Sequence, residues 1–246
     1  MRIKAVVAYD GSSYSGFQHQ AHTPTIQSEL ESTLERLTQD AVRVLASGRT
    51  DAGVHAEGQV IAFDTQWRHP LQDLQRGMNA LLPDQIAVRE LSIVEDGFHP
   101  RYAALRRHYR YTLYQAAVRH PLVNRYSLHV AHSLDVAAMR QASQSLVGEH
   151  DFLAFGTPPQ GNNSVREVSR ADWQQEFPWL YFDIEANAFL YRMVRMLVGT
   201  LLRVGRGVLA PGDFIDILCT QDRSGAGPAA PPQGLCLKSV VYPPGL

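Results

Sequence analysis

Apolar and polar residues alternate from Ile3 to Tyr9, the period of a strand with one buried face, and the run stops at the turn-forming pair Asp10-Gly11. Thr25 then precedes Ile26, Leu30, Leu34 and Leu37, which share one face of a helix, with Glu29 near the amide end where negative charge is favourable. Val42 to Ala46 and Gln59 to Phe63 have the pattern of short strands flanking a polar loop. A helical pattern from Leu71 to Leu82 stops at Pro83, and Ile86 to Val94 returns as a strand. This alternation predicts an α/β half over residues 1–105 and leaves 106–246 as a second half. There, Arg107 to Leu113 reads as a strand that places Arg107, Tyr109 and Tyr111 on one face. A helix from Leu134 to Val147, a hairpin over Trp173 to Glu185, a loop over Ser224 to Gly234 and a last strand from Leu235 to Val241 follow the same rules. Phe189 to Val204 is apolar nearly all round and is expected to be a core helix.

The 246 residues, 45% of them hydrophobic, suffice for a large core. The opening MRIKAVVAYDG shows no cleavage-type pattern, so no signal peptide is expected. The longest apolar run is interrupted by Arg192, Arg195 and Arg203 and is too short to cross a bilayer, which argues against a membrane protein. Cys219 and Cys236 have no paired ligand spacing and read as reduced packing residues, with the cytoplasm as the expected location. Net charge is only -1, yet Gly97 to Leu134 holds six arginines and no Asp or Glu. Five tyrosines and five histidines are interleaved with them, a mixture suited to phosphate contacts and stacking on unpaired bases, or equally to an Arg-rich strand pair facing solvent.

One loop concentrates the candidate chemistry. Ser47 to His55 reads Ser-Gly-Arg-Thr-Asp-Ala-Gly-Val-His, with Asp51 between Gly48 and Gly53, residues that permit tight turns and close backbone approach. Asp51 is placed either to present a carboxylate to a ligand or to close a turn through its own side chain. Arg195, set among Leu190, Met193, Val194, Met196, Leu197 and Val198, needs an anionic partner, structural or in a site, while Arg192 and Arg203 are free to extend to solvent. His55 reads as support for the loop, because no HxxxH, HExxH or Cys cluster accompanies it. No Walker or dinucleotide-type glycine loop occurs, so neither ATP nor NAD is expected, and no metal.

The segment Ser47 to Ala56, followed by Gly58-Gln59-Val60, resembles the active-site motif of the tRNA pseudouridine synthase A family. Further landmarks agree in order: Tyr9-Asp10-Gly11 with Gly16-Phe17-Gln18, Thr25-Ile26-Gln27, Asn79 to Pro83, Phe98 to Arg101, Tyr109-Arg110-Tyr111, Phe189-Leu190 with Met193-Val194-Arg195, Asp222-Arg223 and Gly234-Leu235. They span nearly the whole chain. The resemblance implies two ferredoxin-like α/β halves whose antiparallel sheets join across a central active-site cleft, in a homodimer that binds tRNA. It implies an isomerase, an intramolecular transferase that converts uridines at positions 38 to 40 of the anticodon stem-loop to pseudouridine without a cofactor.

Carried onto this chain, the resemblance makes Asp51 the catalytic carboxylate, Tyr109 the ring that stacks on the flipped base, Arg49 the residue that fills the vacated place in the RNA helix, and Arg195 the partner of Asp51. Arg101, Arg106, Arg107 and Arg110 are candidate RNA contacts. His19 stands where bacterial relatives often carry Arg, Cys236 where an aromatic is common, and the loop Gly156 to Ser164 differs in length and composition, a feature that bears on RNA docking. Two rival functions share these features: a noncatalytic RNA-binding protein, and a synthase acting on another RNA.

Overall fold

The computed structural model describes residues 1–159 and 161–245. They divide into two compact units, 1–105 with 236–246 and 106–235. Both are mixed α/β and mostly antiparallel, as the resemblance implies.

In the first unit, β1 (Arg2–Tyr9) lies between β3 (His55–Asp64) and β4 (Ile86–Val94) and is antiparallel to both. Its alternation is real: Ile3, Ala5, Val7 and Tyr9 are buried while their neighbours are half-buried. The short β2 (Leu45–Ala46) adds to β3 on one side. Val42 to Val44 are not strand, because the Val44 amide donates to Glu31 Oε1 of a helix at 3.0 Å instead of to a ladder. That helix, α1 (Ile26–Thr38), starts at Thr25, whose hydroxyl accepts from the Ser28 amide while Ser28 Oγ accepts from the Thr25 amide, so two otherwise orphaned donors are satisfied. It buries Ile26, Leu30 and Leu34 beside α2 (Leu71–Leu81), which buries Leu74 and Met78 and ends before Pro83.

The last strand, β10 (Leu235–Val241), belongs with this first unit rather than with the residues that precede it: Cys236 and Leu237 pair parallel to His55 and Ala56 of β3. The first compact unit thus holds residues 236–245 beside the expected half 1–105. A sequence pattern identifies a strand but not the ladder it joins.

The second unit carries a sheet ordered β6 (Leu128–Val130), β5 (Arg106–Gln115), β9 (Trp179–Ala186), β8 (Val165–Glu176) and β7 (Gly148–Asp151), parallel only between β5 and β6. Arg107, Tyr109, Tyr111 and Leu113 share the buried face of β5 with Leu180, Phe182 and Ile184 of β9. The helices α3 (Val136–Gln144) and α4 (Met193–Gly205) supply Met139, Leu197, Val198 and Leu201 to the core. Both begin later than their apolar patterns suggest. Asp135 caps α3 by accepting from the Ala138 amide, and α4 cannot start before Arg192, which has a left-handed φ of 62° after Tyr191 has bridged to Thr157. The helix α5 (Pro211–Thr220) and the strands β6 and β7 were not expected; α5 opens on Pro211-Gly212, a pair that reads as a turn, and carries no strong periodic signal. Cys219 lies exposed on α5 and Cys236 is half-buried, so Cys219 is not the packing residue its type suggests. Among the described residues no helix is long and apolar enough to cross a membrane.

Candidate active site

Residues 47–54 connect β2 to β3 and hold Asp51 and Arg49 on one short loop of the first unit. The loop is closed by backbone, from the Val54 amide to the Asp51 carbonyl at 3.1 Å, with Gly53 in the left-handed region at φ 77°. Its entry is tied to β3 by the Ser47 amide donating to the Val60 carbonyl at 2.8 Å. Its middle is tied to the segment after β1 by the Phe17 amide donating to the Thr50 carbonyl at 3.1 Å. Gly16 makes that approach possible: at φ 97°, a Cβ on it would lie 2.8 Å from the Thr50 carbonyl oxygen. At the exit, His55 Nδ1 accepts from the Gly11 amide at 3.2 Å and lies 3.2 Å from Asp10 Oδ1, which assigns His55 the supporting role expected of it. Arg49 is exposed and Asp51 half-buried. His19, at the rim of the same unit, faces Glu31 Oε2 at 3.5 Å.

The second unit carries Tyr109 and Arg195. The Tyr109 ring meets Phe189 edge-on, with centroids 5.1 Å apart at 87°. Arg195, in the first turn of α4, donates through Nε to the Ala230 carbonyl at 2.7 Å, and the Ala230 amide donates back to the Arg195 carbonyl at 2.8 Å. The Gly/Pro/Ala-rich loop therefore seats this arginine. Arg203 does not simply reach for solvent; it donates to the Gly225 carbonyl at 2.7 Å in the same loop, whereas Arg192 lies against the Tyr191 ring.

The four candidate RNA arginines separate into two kinds. Arg106 is exposed, with Glu185 at 3.6 Å, and Arg101 is half-buried beside Tyr102 on the first unit. Arg107 and Arg110 are both engaged within the second unit. Arg107 is buried and donates to the Asn187 carbonyl at 2.6 Å. Arg110 grips Asp183 through two bonds of 3.0 and 2.8 Å. Burial would raise the Asp183 carboxyl, but hydrogen bonds from His108 and Arg110, with their charges, outweigh it and hold it at about 2. Neither Asp183 nor His108 had been singled out from sequence, because nothing marks which strand residue will face which.

The family model described as tRNA pseudouridine synthase matches residues 5–103 and 142–243, and the chain belongs to that family. It is 46% identical over 245 residues to the tRNA pseudouridine synthase A of Moorella thermoacetica, covering 98% of this chain and 99% of that one. The same-named proteins of Geobacter sulfurreducens and Bacillus subtilis are 45% and 41% identical, each over 98% of this chain and 99% of theirs. A solved Cbf5-Nop10-Gar1 complex is similar at a TM-score of 0.37 and 13% identity, over 81% of this chain and 45% of that one.

Proposed function

We propose that this protein is a tRNA pseudouridine synthase that isomerises uridines 38 to 40 of the anticodon stem-loop, acting as a cytoplasmic homodimer without a cofactor. The observation that carries the reading is the 46% identity to a tRNA pseudouridine synthase A along essentially the full length of both chains. The loop of Asp51 gives the reading its chemistry: one carboxylate on a turn whose backbone is anchored at entry, middle and exit.

In this reading a target uridine leaves the stacked stem at a cost of a few kcal/mol. Stacking on Tyr109 and insertion of the exposed Arg49 into the vacated space offset that cost. Asp51 attacks C1′ or takes a proton from the sugar, and the C1′–N1 bond breaks. The uracil turns and rejoins C1′ through C5, which displaces the Asp51 carboxylate from C1′ or, in the other route, is followed by return of the proton to the sugar; C5 gives up its proton and N1 gains one, so the reaction is a balanced isomerisation. Of the four candidate phosphate contacts, Arg101, Arg106, Arg107 and Arg110, Arg106 is the exposed one.

The test is a map of pseudouridine in unmodified tRNA after incubation with the purified protein alone. Pseudouridine at positions 38 to 40 with wild type, none with Asp51→Asn, and RNA affinity retained by the variant are the expected results. Binding without product from wild type would instead describe a noncatalytic RNA-binding protein, and product in another RNA only would change the substrate.

A further inference from the structure

Beneath the Asp51 loop the first unit buries a set of polar side chains that a core built for stability alone would not contain. Tyr9, Ser47, Thr50 and Gln59 are all buried among the apolar residues of β1 and β3. Buried polar groups are tolerated when each finds a partner, and these do. Ser47 Oγ donates to Gln59 Oε1 at 2.6 Å, which orients the amide so that Gln59 Nε2 donates to the Gly48 carbonyl at 3.0 Å and, at 3.4 Å, to the Tyr9 oxygen. A flipped amide would set two oxygens against each other at Gly48, so this orientation is the consistent one. With its oxygen accepting from Gln59, the Tyr9 hydroxyl is left to donate to Thr50 Oγ1 at 2.8 Å. Burial pushes the Tyr9 hydroxyl well above its ordinary range, so it keeps the proton it donates.

An ordinary satisfied core network is the plain alternative, and the direction of the bonds argues against it. Among the described residues, every side-chain hydrogen bond of Gln59 and Tyr9, other than the one joining them, ends on residues 47–50, the segment immediately before Asp51. The sheet is bent to reach it: β1 and β3 run in register from Arg2 to Val7, then slip so that Val7 faces Gln59 while Tyr9 faces Ala56. Such a bulge re-aims a side chain. Gly58, inside it, passes so close to β10 that a Cβ would sit 2.5 Å from the Lys238 carbonyl oxygen.

We propose that Tyr9, Gln59 and Thr50 are positioning residues that hold the Asp51 carboxylate where it reacts, an inference that rests on Asp51 being the catalytic group. With the Thr50 hydroxyl held by Tyr9, the Thr50 carbonyl by Phe17 and the Asp51 carbonyl by Val54, the backbone on both sides of the carboxylate is fixed. Displacement of a reacting group by an ångström costs on the order of a hundredfold in rate, so loosening one anchor should cost roughly tenfold.

Steady-state pseudouridine formation on unmodified tRNA should be measured for wild type, Tyr9→Phe, Thr50→Val, Thr50→Ser and the double variant Tyr9→Phe/Thr50→Val. Tyr9→Phe and Thr50→Val should each lower kcat roughly tenfold, with KM for tRNA within about twofold and melting temperature down by no more than about 5 °C. Thr50→Ser, which keeps the hydroxyl, should restore wild-type kcat. The double variant should be no worse than either single one, because both remove the same bond. Wild-type kcat in Tyr9→Phe and Thr50→Val, losses that multiply in the double variant, or a Thr50→Ser as slow as Thr50→Val would each overturn the inference while leaving the proposed function intact. Absence of pseudouridine from the wild-type reaction would instead overturn that function and the inference with it. If Tyr9→Phe does not fold, the comparison of Thr50→Val with Thr50→Ser decides alone.

Discussion

Asp183 has no exposed side-chain surface and is held ionised by His108 at 2.6 Å and by the two bonds from Arg110. Its carboxyl is lowered from 3.8 to about 2 in the folded protein, so its contribution to stability is complete above about pH 4 and disappears as the pH falls towards 2. Replacing it with Asn leaves the Arg110 guanidinium facing a neutral amide. Asp183→Asn should lower the unfolding free energy by about 3 kcal/mol at neutral pH, and urea unfolding between pH 5 and 2 should show a shallower acid dependence than wild type. The two neighbouring arginines, Arg106 and Arg107, looked equivalent in sequence. The two-residue strand period put Arg107 with Tyr109 and Tyr111, but it cannot say which face of a strand becomes the interior. The Asp51 loop, by contrast, was legible as a site through its long motif resemblance, since Gly, Asp and Gly in close order suit equally a turn closed by the Asp side chain. The roles of Tyr9 and Gln59 beneath it were not, since their partners lie 41 and 11 residues away.

Among the elements, α4 shows where local rules lose to packing. Gly199 sits in the middle of the helix, where replacement by Ala ordinarily gains up to about 1 kcal/mol by restricting the unfolded chain. Here a Cβ would lie 1.8 Å from the Pro228 carbonyl oxygen, with no flexible side chain to give way. Gly199→Ala should therefore destabilise the protein, by roughly 1–3 kcal/mol, as read from thermal melting; a gain would show that the 227–230 segment moves at little cost. Elements with strong periodicity and a stop signal, such as β4 and β10, were bounded to the residue by sequence. Those set by a cap or a left-handed residue, α3 and α4, started later than their apolar patterns because Asp135 and Arg192 act through backbone geometry that hydrophobicity does not report. The helix α5 and the short strands β6 and β7 had too little period to be seen.

At the scale of the whole molecule, a net charge of -1 leaves RNA affinity to depend on where the cations are exposed rather than on how many there are. Arg106→Ala should weaken tRNA binding evenly and reduce the slope of log affinity against log salt by about 1, whereas Arg107→Ala should act mainly through stability, because its guanidinium is buried against the Asn187 carbonyl. Filter binding over a salt series, paired with melting curves, separates the two; equal salt slopes for both variants would contradict the assignment. Composition, periodicity and the long motif resemblance were enough to determine the α/β class, most of the strands and helices, and the loop that carries Asp51, since each is written in residues close together in the chain. The tertiary structure alone decided that β10 pairs with β3, that Arg107 and Arg110 bond to Asn187 and Asp183, and that Tyr9 and Gln59 bond to residues 47–50, because pairing across a sheet and burial of a polar group depend on residues that sequence distance keeps apart.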